Sequence, residues 1–303
     1  MTGLSQDMRD GAGDLLAEWV AQPPRAAHFI VTIYGDVVEP RGGILWMGTL
    51  IEICEAVGLS ESLVRTAVSR LVSGGQLTGE RAGRRSFYRL TDKAQVDFAA
   101  AARVLFSKPE TPETLVFLIP NDSNARLPVG FVPVGPDLLA GPGGPGVPLP
   151  DGLALRAEVI QGAAALPSFA ARHWDLERHA AAYRHVLTRF ASLEARLDGG
   201  ALLSPEDSLV ARLLLVDDFR EAIFQDPGLP SAALPPDWPG QAARALFARL
   251  YRSLSVSADS HVSSHFRNAA GLLPAVTEQV RARMARLTSL SQTTRDAKNT
   301  KIS

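Results

Sequence analysis

MGTLIEICEAVGLSESLVRTAVSRLVSGGQLTGERAGRRSFYRLTDK, residues Met47 to Lys93, carries the clearest structural signal in this chain of 303 residues. Gly48 opens a predicted helix to about Val57 with Leu50, Ile51, Ile53 and Cys54 as its apolar face, and Gly58 is the tight-turn residue after it. The Ser60 hydroxyl can cap the next helix. In that helix Leu63, Val64, Ala67, Val68 and Leu71 form one apolar stripe, and Ser62, Arg65, Thr66, Ser69, Arg70 and Ser73 lie opposite. Gly74-Gly75 ends it. Leu77 to Arg81 and Ser86 to Leu90 then pair as a hairpin around Ala82-Gly83-Arg84-Arg85. Helix, turn, helix and hairpin in this order make a winged helix-turn-helix.

Charge supports that reading. Between Ser60 and Lys93 stand seven basic residues (Arg65, Arg70, Arg81, Arg84, Arg85, Arg89, Lys93) and three acidic ones (Glu61, Glu80, Asp92), in a protein whose net charge is -1. Small hydroxyls and guanidinium groups on one helix face suit the edges of bases and the phosphates of double-stranded DNA. Ser62, Arg65, Thr66, Ser69 and Arg70 are therefore candidate contacts in a major groove, with Arg84 and Arg85 of the hairpin on backbone or an adjacent minor groove. Any helix pair with a charged hairpin can give the same local pattern; position, turn glycines and charge agree here.

Composition bounds the rest. A hydrophobic share of 46% with 21% charged residues describes a globular chain with sizeable cores, and the length suggests two or three domains. Near-neutral charge argues against a protein that coats nucleic acid indiscriminately. The single cysteine, Cys54, excludes an intramolecular disulfide and suits a reducing compartment; on the apolar face of its helix it reads as a core thiol before a redox sensor. With no membrane span and no signal-peptide pattern, the expected location is cytoplasmic, with no cofactor and no metal.

Upstream, residues 1–24 form an extension with a short amphipathic helix over Asp14 to Val20, ended by Pro23-Pro24, whose Trp19 is expected to dock on the body. Ala26 to Gly35 is ambiguous between strand and helix; as the first helix of a winged domain over 25–93 it would be closed by Gly35. Glu39 to Gly43 is a turn and Ile44 to Trp46 a short edge strand. Downstream, Thr91 caps a helix from Asp92 to Phe106, and 94–114 is a connecting helix and linker. Residues 115–165 read as a small α+β unit with strands at Leu115 to Ile119, Val129 to Val134 and Leu153 to Ile160; the Gly- and Pro-rich run Pro133 to Gly152 reads as a loop and no core element. Residues 166–290 are helical, including a strong start at Ser204-Pro-Glu-Asp, and 291–303 are a polar, frayed tail. The fold class is mixed and mainly α.

Two segments carry a resemblance to a known family: Leu63-Val-Arg-Thr-Ala-Val-Ser-Arg-Leu with Gly83-Arg-Arg-Ser-Phe-Tyr-Arg-Leu-Thr, and Leu213-Leu-Leu-Val-Asp-Asp-Phe-Arg followed by Asp226-Pro-Gly-Leu-Pro and Asp237-Trp-Pro-Gly. In combination the chain resembles the PaaX family, repressors of bacterial phenylacetate degradation operons. The resemblance implies a homodimer that binds a near-palindromic operator and lets go when an aryl-acyl-CoA effector, typically phenylacetyl-CoA, binds outside the winged helix. It implies a ferredoxin-like unit in the middle, similar to the small nuclease-like subunit of CRISPR adaptation, with a tryptophan opening its first strand. Here Leu115 stands near that place, and the expected arginine-rich helix is shortened to Asn121-Asp-Ser-Asn-Ala-Arg-Leu, which makes the unit abridged.

An acyl-CoA needs cations at its phosphates and an apolar slot for its acyl end. Arg212, Arg220 and His173 are the candidate cations, and Trp174, Phe219, Trp238 and Tyr251 the candidate stacking groups. Trp238 between prolines also reads as a packing anchor, and Arg220 beside Asp217 and Asp218 as a structural ion pair. A reading of another class, a metal-dependent nuclease of the ferredoxin-like type, rests on Asp122 after the first middle strand, against the plainer reading of a loop aspartate. His261 and His265 share a helix face but lack a third ligand in sight.

Overall fold

The computed structural model describes residues 19–109, 112–122, 127–144, 149 and 151–299, with side chains to residue 288. The helix expected from Asp14 lies outside them except for Trp19 and Val20. The chain divides into two compact units. One takes the chain up to Lys108, Val186–Arg220 and everything from Arg244; the other takes Pro109–His185 and Glu221–Ala243. The helices after residue 166 are divided between the two units.

The first unit begins with α1 (Ala26–Ile33), which settles the ambiguous stretch as helix. Gly35 does not end it: the helix runs on through a π-helical turn, Tyr34–Val38, and a short 3-10 turn, Glu39–Arg41. Its apolar residues Phe29, Ile30, Ile33, Tyr34, Val37 and Val38 are all buried, so burial overrides the glycine. β1 (Ile44–Trp46) leads into α2 (Met47–Glu55) and, past Gly58, α3 (Glu61–Ser73). The Ser60 Oγ accepts from the Leu63 N–H at 3.4 Å, the expected cap. β2 (Leu77–Ala82) and β3 (Arg85–Leu90) pair antiparallel across the two-residue turn Gly83-Arg84, and β1 adds to the other side of β3, giving the order β1-β3-β2. α4 (Asp92–Phe106) starts at Thr91, whose Oγ1 accepts from Ala94 N–H at 3.2 Å.

The second unit holds an antiparallel sheet of β4 (Thr114–Pro120), β5 (Val132–Gly135), β6 (Leu138–Gly143) and β7 (Gly152–Arg156) in the order β5-β6-β4-β7. β6 lies inside the run expected to be a loop and occupies the middle of the sheet, with Leu139 and Ala140 buried. Its small residues are what admit it. A Cβ on Gly141 would stand 2.4 Å from the Phe131 ring, so the glycine lets that ring lie flat on the strand. β5 pairs with β6 only over Leu138 to Ala140, so Pro142 sits where β6 has a single partner strand. One face packs Leu115, Phe117 and Ala140 against α5 (Leu166–His173), with Trp174, Leu176, Leu229 and Ala233 in the same core.

The remaining helices are α6 (Leu176–Asp198), α7 (Pro205–Gln225), α8 (Gly240–His265) and α9 (Glu278–Asn299). A two-residue hairpin, β8 (Arg267–Asn268) with β9 (Gly271–Leu272), separates α8 from α9. The backbone of the expected frayed tail is helical to Asn299.

Within the first unit, a set of interior ion pairs fastens the continuation of α1 to α7, α8 and α9. The Asp36 carboxylate accepts from Arg212 Nε at 2.9 Å and from the Tyr251 hydroxyl at 2.7 Å. Asp259 accepts from both Arg212 Nη1 and Arg41 Nη2 at 2.9 Å. Arg41 also donates to the carbonyls of Val37, Pro274 and Ala275, and Arg283 donates to the Asp36 carbonyl and to Glu39 Oε2. Three arginines face three carboxylates. Burial opposes the Arg212 charge, but Asp36, Tyr251 and Asp259 more than offset it and raise its pKa.

Candidate nucleic-acid interface

The exposed face of α3 depends on its buried one. Val64, Ala67, Val68 and Leu71 are buried, and a fully buried Val or Leu contributes about 1.5–3 kcal/mol, which fixes the rotation of the helix about its axis. Ser62, Arg65, Thr66, Ser69 and Arg70 are consequently all exposed. Leu63 departs from the expected stripe: it is 54% exposed, on the flank of the polar face. At 100° per residue it stands on the boundary between the faces, with Arg70 and Thr66 on its polar side and Ala67 on its buried side.

Two of the α3 candidates already have local partners. Arg65 reaches the Glu61 carboxylate one turn earlier, with Nη2 at 2.6 Å. Both side chains are more than half exposed, and such a pair holds by only about 0–1 kcal/mol, so a phosphate or guanine edge can displace it. Thr66 donates its hydroxyl to the Ser62 carbonyl at 2.9 Å. Ser69 and Arg70 are exposed on the next turns.

The hairpin places Arg81, Arg84 and Arg85 in solvent, while Arg89 pairs across the strands with Glu80 at 2.7 Å. Arg85 has a platform: its guanidinium lies 5.2 Å from the centroid of the Trp46 ring. That ring in turn covers Gly48, where a Cβ would stand 2.5 Å from it. Gly48→Ala is expected to push Trp46 aside at a cost of about 1–3 kcal/mol and to loosen Arg85. A lower melting temperature together with altered Trp46 fluorescence checks this; unchanged values for both would rule out the close packing.

Cys54 is buried among the residues that support α2, and burial, reinforced by Glu55, pushes its thiol pKa up to about 12. The native protein is expected to leave a thiol-specific disulfide reagent unconsumed for as long as it stays folded at pH 8, and to consume one equivalent once denatured. Fast reaction of the folded protein would overturn the placement.

The effector candidates fall into two groups. Arg212, Phe219, Arg220 and Tyr251 belong to the first unit, and His173, Trp174 and Trp238 to the second. Arg212 is 1% exposed and filled by Asp36 and Asp259, Tyr251 is tied to Asp36, and Phe219 stacks on Phe247 at 4.3 Å. Arg220 donates to the His28 carbonyl at 3.0 Å and lies 3.6 Å from Asp217. Trp174 is buried and donates from Nε1 to the Gly130 carbonyl at 2.8 Å. His173 and Trp238 keep partial exposure, Trp238 at the edge of Tyr183 with ring centroids 6.1 Å apart. Periodicity could not distinguish these cases, because an arginine or tyrosine satisfied by a residue two hundred positions away looks locally like one that faces solvent.

Asp122 is exposed just beyond β4, and among the described residues no group of three His, Cys, Asp or Glu side chains could hold a metal. His261 and His265 stack with ring centroids 4.1 Å apart. Among the described residues no helix is long and apolar enough to cross a membrane.

Comparison with known proteins agrees with the resemblance. The PaaX-like protein family model matches residues 25–94, and the PaaX-like protein C-terminal domain model matches 174–264. The transcriptional repressor PaaX of Escherichia coli (strain K12) is 31% identical, with 84% of this chain and 88% of that protein covered. Among solved structures, the uncharacterized protein Rv0674 from Mycobacterium tuberculosis overlaps with a TM-score of 0.43 at 20% identity over 70% of this chain and 89% of its own, too weak a likeness to carry an argument. With both ends matched and a relative that spans most of its length, this chain belongs to the PaaX-like family.

Proposed function

We propose that this protein is a DNA-binding transcriptional repressor whose reading head is a winged helix-turn-helix of α2, α3 and the β2–β3 hairpin. It grips a near-palindromic operator as a homodimer and is released by an aryl-acyl-CoA such as phenylacetyl-CoA, so that it controls genes of aromatic catabolism. One observation carries the reading: the buried stripe of α3 turns Ser62, Arg65, Thr66, Ser69 and Arg70 outward together, next to a hairpin that presents Arg84 and Arg85. A dimer fits because two such heads one DNA turn apart select a site by spacing. The middle sheet keeps the strand order of a ferredoxin-like unit while β4 to β7 follow one another with no intervening helix among the described residues, as an abridged unit would.

For the effector, His173 and Trp238 are the contacts we favour, because the first-unit candidates are engaged with protein groups. Both belong to the second unit, where Trp238 packs on the apolar core and His173 lies against Phe169 and Trp174 of the same core. Titration calorimetry of the full chain with phenylacetyl-CoA is expected to give saturable heat and with free phenylacetate none; silence with every acyl-CoA tried would remove the effector while leaving the DNA reading intact. Binding of sites selected from random DNA, followed in a mobility-shift titration, tests that reading, and binding with no preference over random DNA would end it.

A further inference from the structure

α3 leaves two large apolar side chains in solvent, Val72 near its end and, in its first turn, Leu63, which is the more exposed at 54% while the adjacent Val64 is buried. Leu63, Thr66 and Arg70 follow at i, i+3 and i+7, so the three lie on one edge of the helix, parallel to the edge formed by Ser62, Arg65 and Ser69. The Thr66 hydroxyl is committed to the Ser62 carbonyl at 2.9 Å, which leaves its methyl as the free end of that side chain. An isobutyl group and a methyl thus stand side by side near the start of the helix, with cationic Arg70 one turn beyond. The first turns of a helix in a major groove are the ones that meet base edges. There the 5-methyl of thymine is the apolar feature that an A·T pair presents and a G·C pair lacks.

We propose that Leu63, with the Thr66 methyl beside it, is a specificity-determining residue that reads the 5-methyl group of a thymine in each half-site. The inference rests on the proposed DNA reading and adds to it the chemistry of one base position. The polar residues of the face have other tasks: Arg65 and Arg70 reach phosphates or guanine, while an apolar pair is indifferent to hydrogen-bonding edges and discriminates by the methyl alone. Leu63 is more than half exposed, so truncating it to alanine opens no enclosed cavity.

The test uses the full chain and a site selected by it from random DNA. Each thymine of that site is replaced in turn by deoxyuridine, which removes the methyl and leaves the pairing edge unchanged. The wild-type protein is expected to lose roughly three- to tenfold in affinity at one symmetry-related thymine position and to be unaffected at the rest. Leu63→Ala, at unchanged melting temperature, is expected to bind the thymine site that much more weakly and to make no distinction between thymine and deoxyuridine there. Uniform binding of every deoxyuridine site by the wild type, or a methyl effect that survives in Leu63→Ala, would overturn the assignment while the DNA reading stands. Failure of the wild type to select any site would overturn both.

Discussion

Asp36→Ala is expected to lower the unfolding free energy by about 3–5 kcal/mol, and the melting temperature by on the order of 10 °C, although the residue is far from the recognition face in sequence. The Asp36 carboxylate is fully buried and accepts from both Arg212 and Tyr251. Without it, Arg212, itself 1% exposed, keeps only Asp259, which Arg41 also needs. Two buried guanidinium groups then share one carboxylate, and the Tyr251 hydroxyl loses its acceptor. An uncompensated interior charge costs far more than an intact pair contributes, so the double variant Asp36→Ala with Arg212→Met is expected to recover part of the loss. Urea denaturation of Asp36→Ala, Arg212→Met and the double variant measures this. A loss below about 1 kcal/mol in the single variant, or a double variant as unstable as the two single losses added, would show that the set is not the coupled interior it looks like.

The same contacts fix how α1 sits in the first unit. Asp36, Glu39 and Arg41 lie on the π-helical and 3-10 continuation of α1, and their partners lie on α7, α8 and α9 or just before α9. Such a turn inside a helix changes the direction of side chains, and here it aims Asp36 and Arg41 at separate partners. Arg244 adds to this by donating to the carbonyls of Val104, Leu105 and Ser107 at the end of α4, where the helix leaves its last acceptors open. The continuation of α1 and the end of α4 are therefore tied to the later helices by charge-assisted bonds as well as apolar packing.

What was legible in the sequence was local. The α2–turn–α3 order, the Ser60 and Thr91 caps and the β2–β3 hairpin follow from turn glycines, hydroxyl caps and two periodicities, and each appears within a residue or two of its expected place. β6 was hidden because its residues are small for a reason visible only with Phe131 in place over Gly141. The helical course through Gly35 was hidden because the burial of Tyr34, Val37 and Val38 decides it, and that burial comes from distant parts of the chain. Leu63 lies at the edge of a stripe five residues wide, and periodicity alone does not say on which side of that edge a residue falls. Arg212 and Tyr251 carry no local mark of their burial, since their partner Asp36 stands 176 and 215 residues away.

Replacing Arg84 and Arg85 together by alanine is expected to weaken binding of a selected site by on the order of tenfold or more per head and to weaken non-specific DNA similarly. Both residues are exposed on the hairpin, and Arg85 is presented from the Trp46 ring, so neither supports the fold in a way that would confuse the result. Loss of two phosphate contacts should also flatten the dependence of log affinity on log salt by about 0.9 for each contact. Ser69→Ala should behave differently, leaving the salt slope alone and changing preference among sequences. Glu61→Gln gives a third signature. It frees Arg65 from an exposed pair worth about 0–1 kcal/mol and removes a negative charge beside the phosphates, so affinity should rise and the salt slope should steepen slightly. The three variants separate the backbone-positioning hairpin from the base-reading helix by slope and preference. If the double arginine variant kept both affinity and salt slope, the hairpin would not lie on the phosphates, and a recognition face made of α3 alone would have to account for binding.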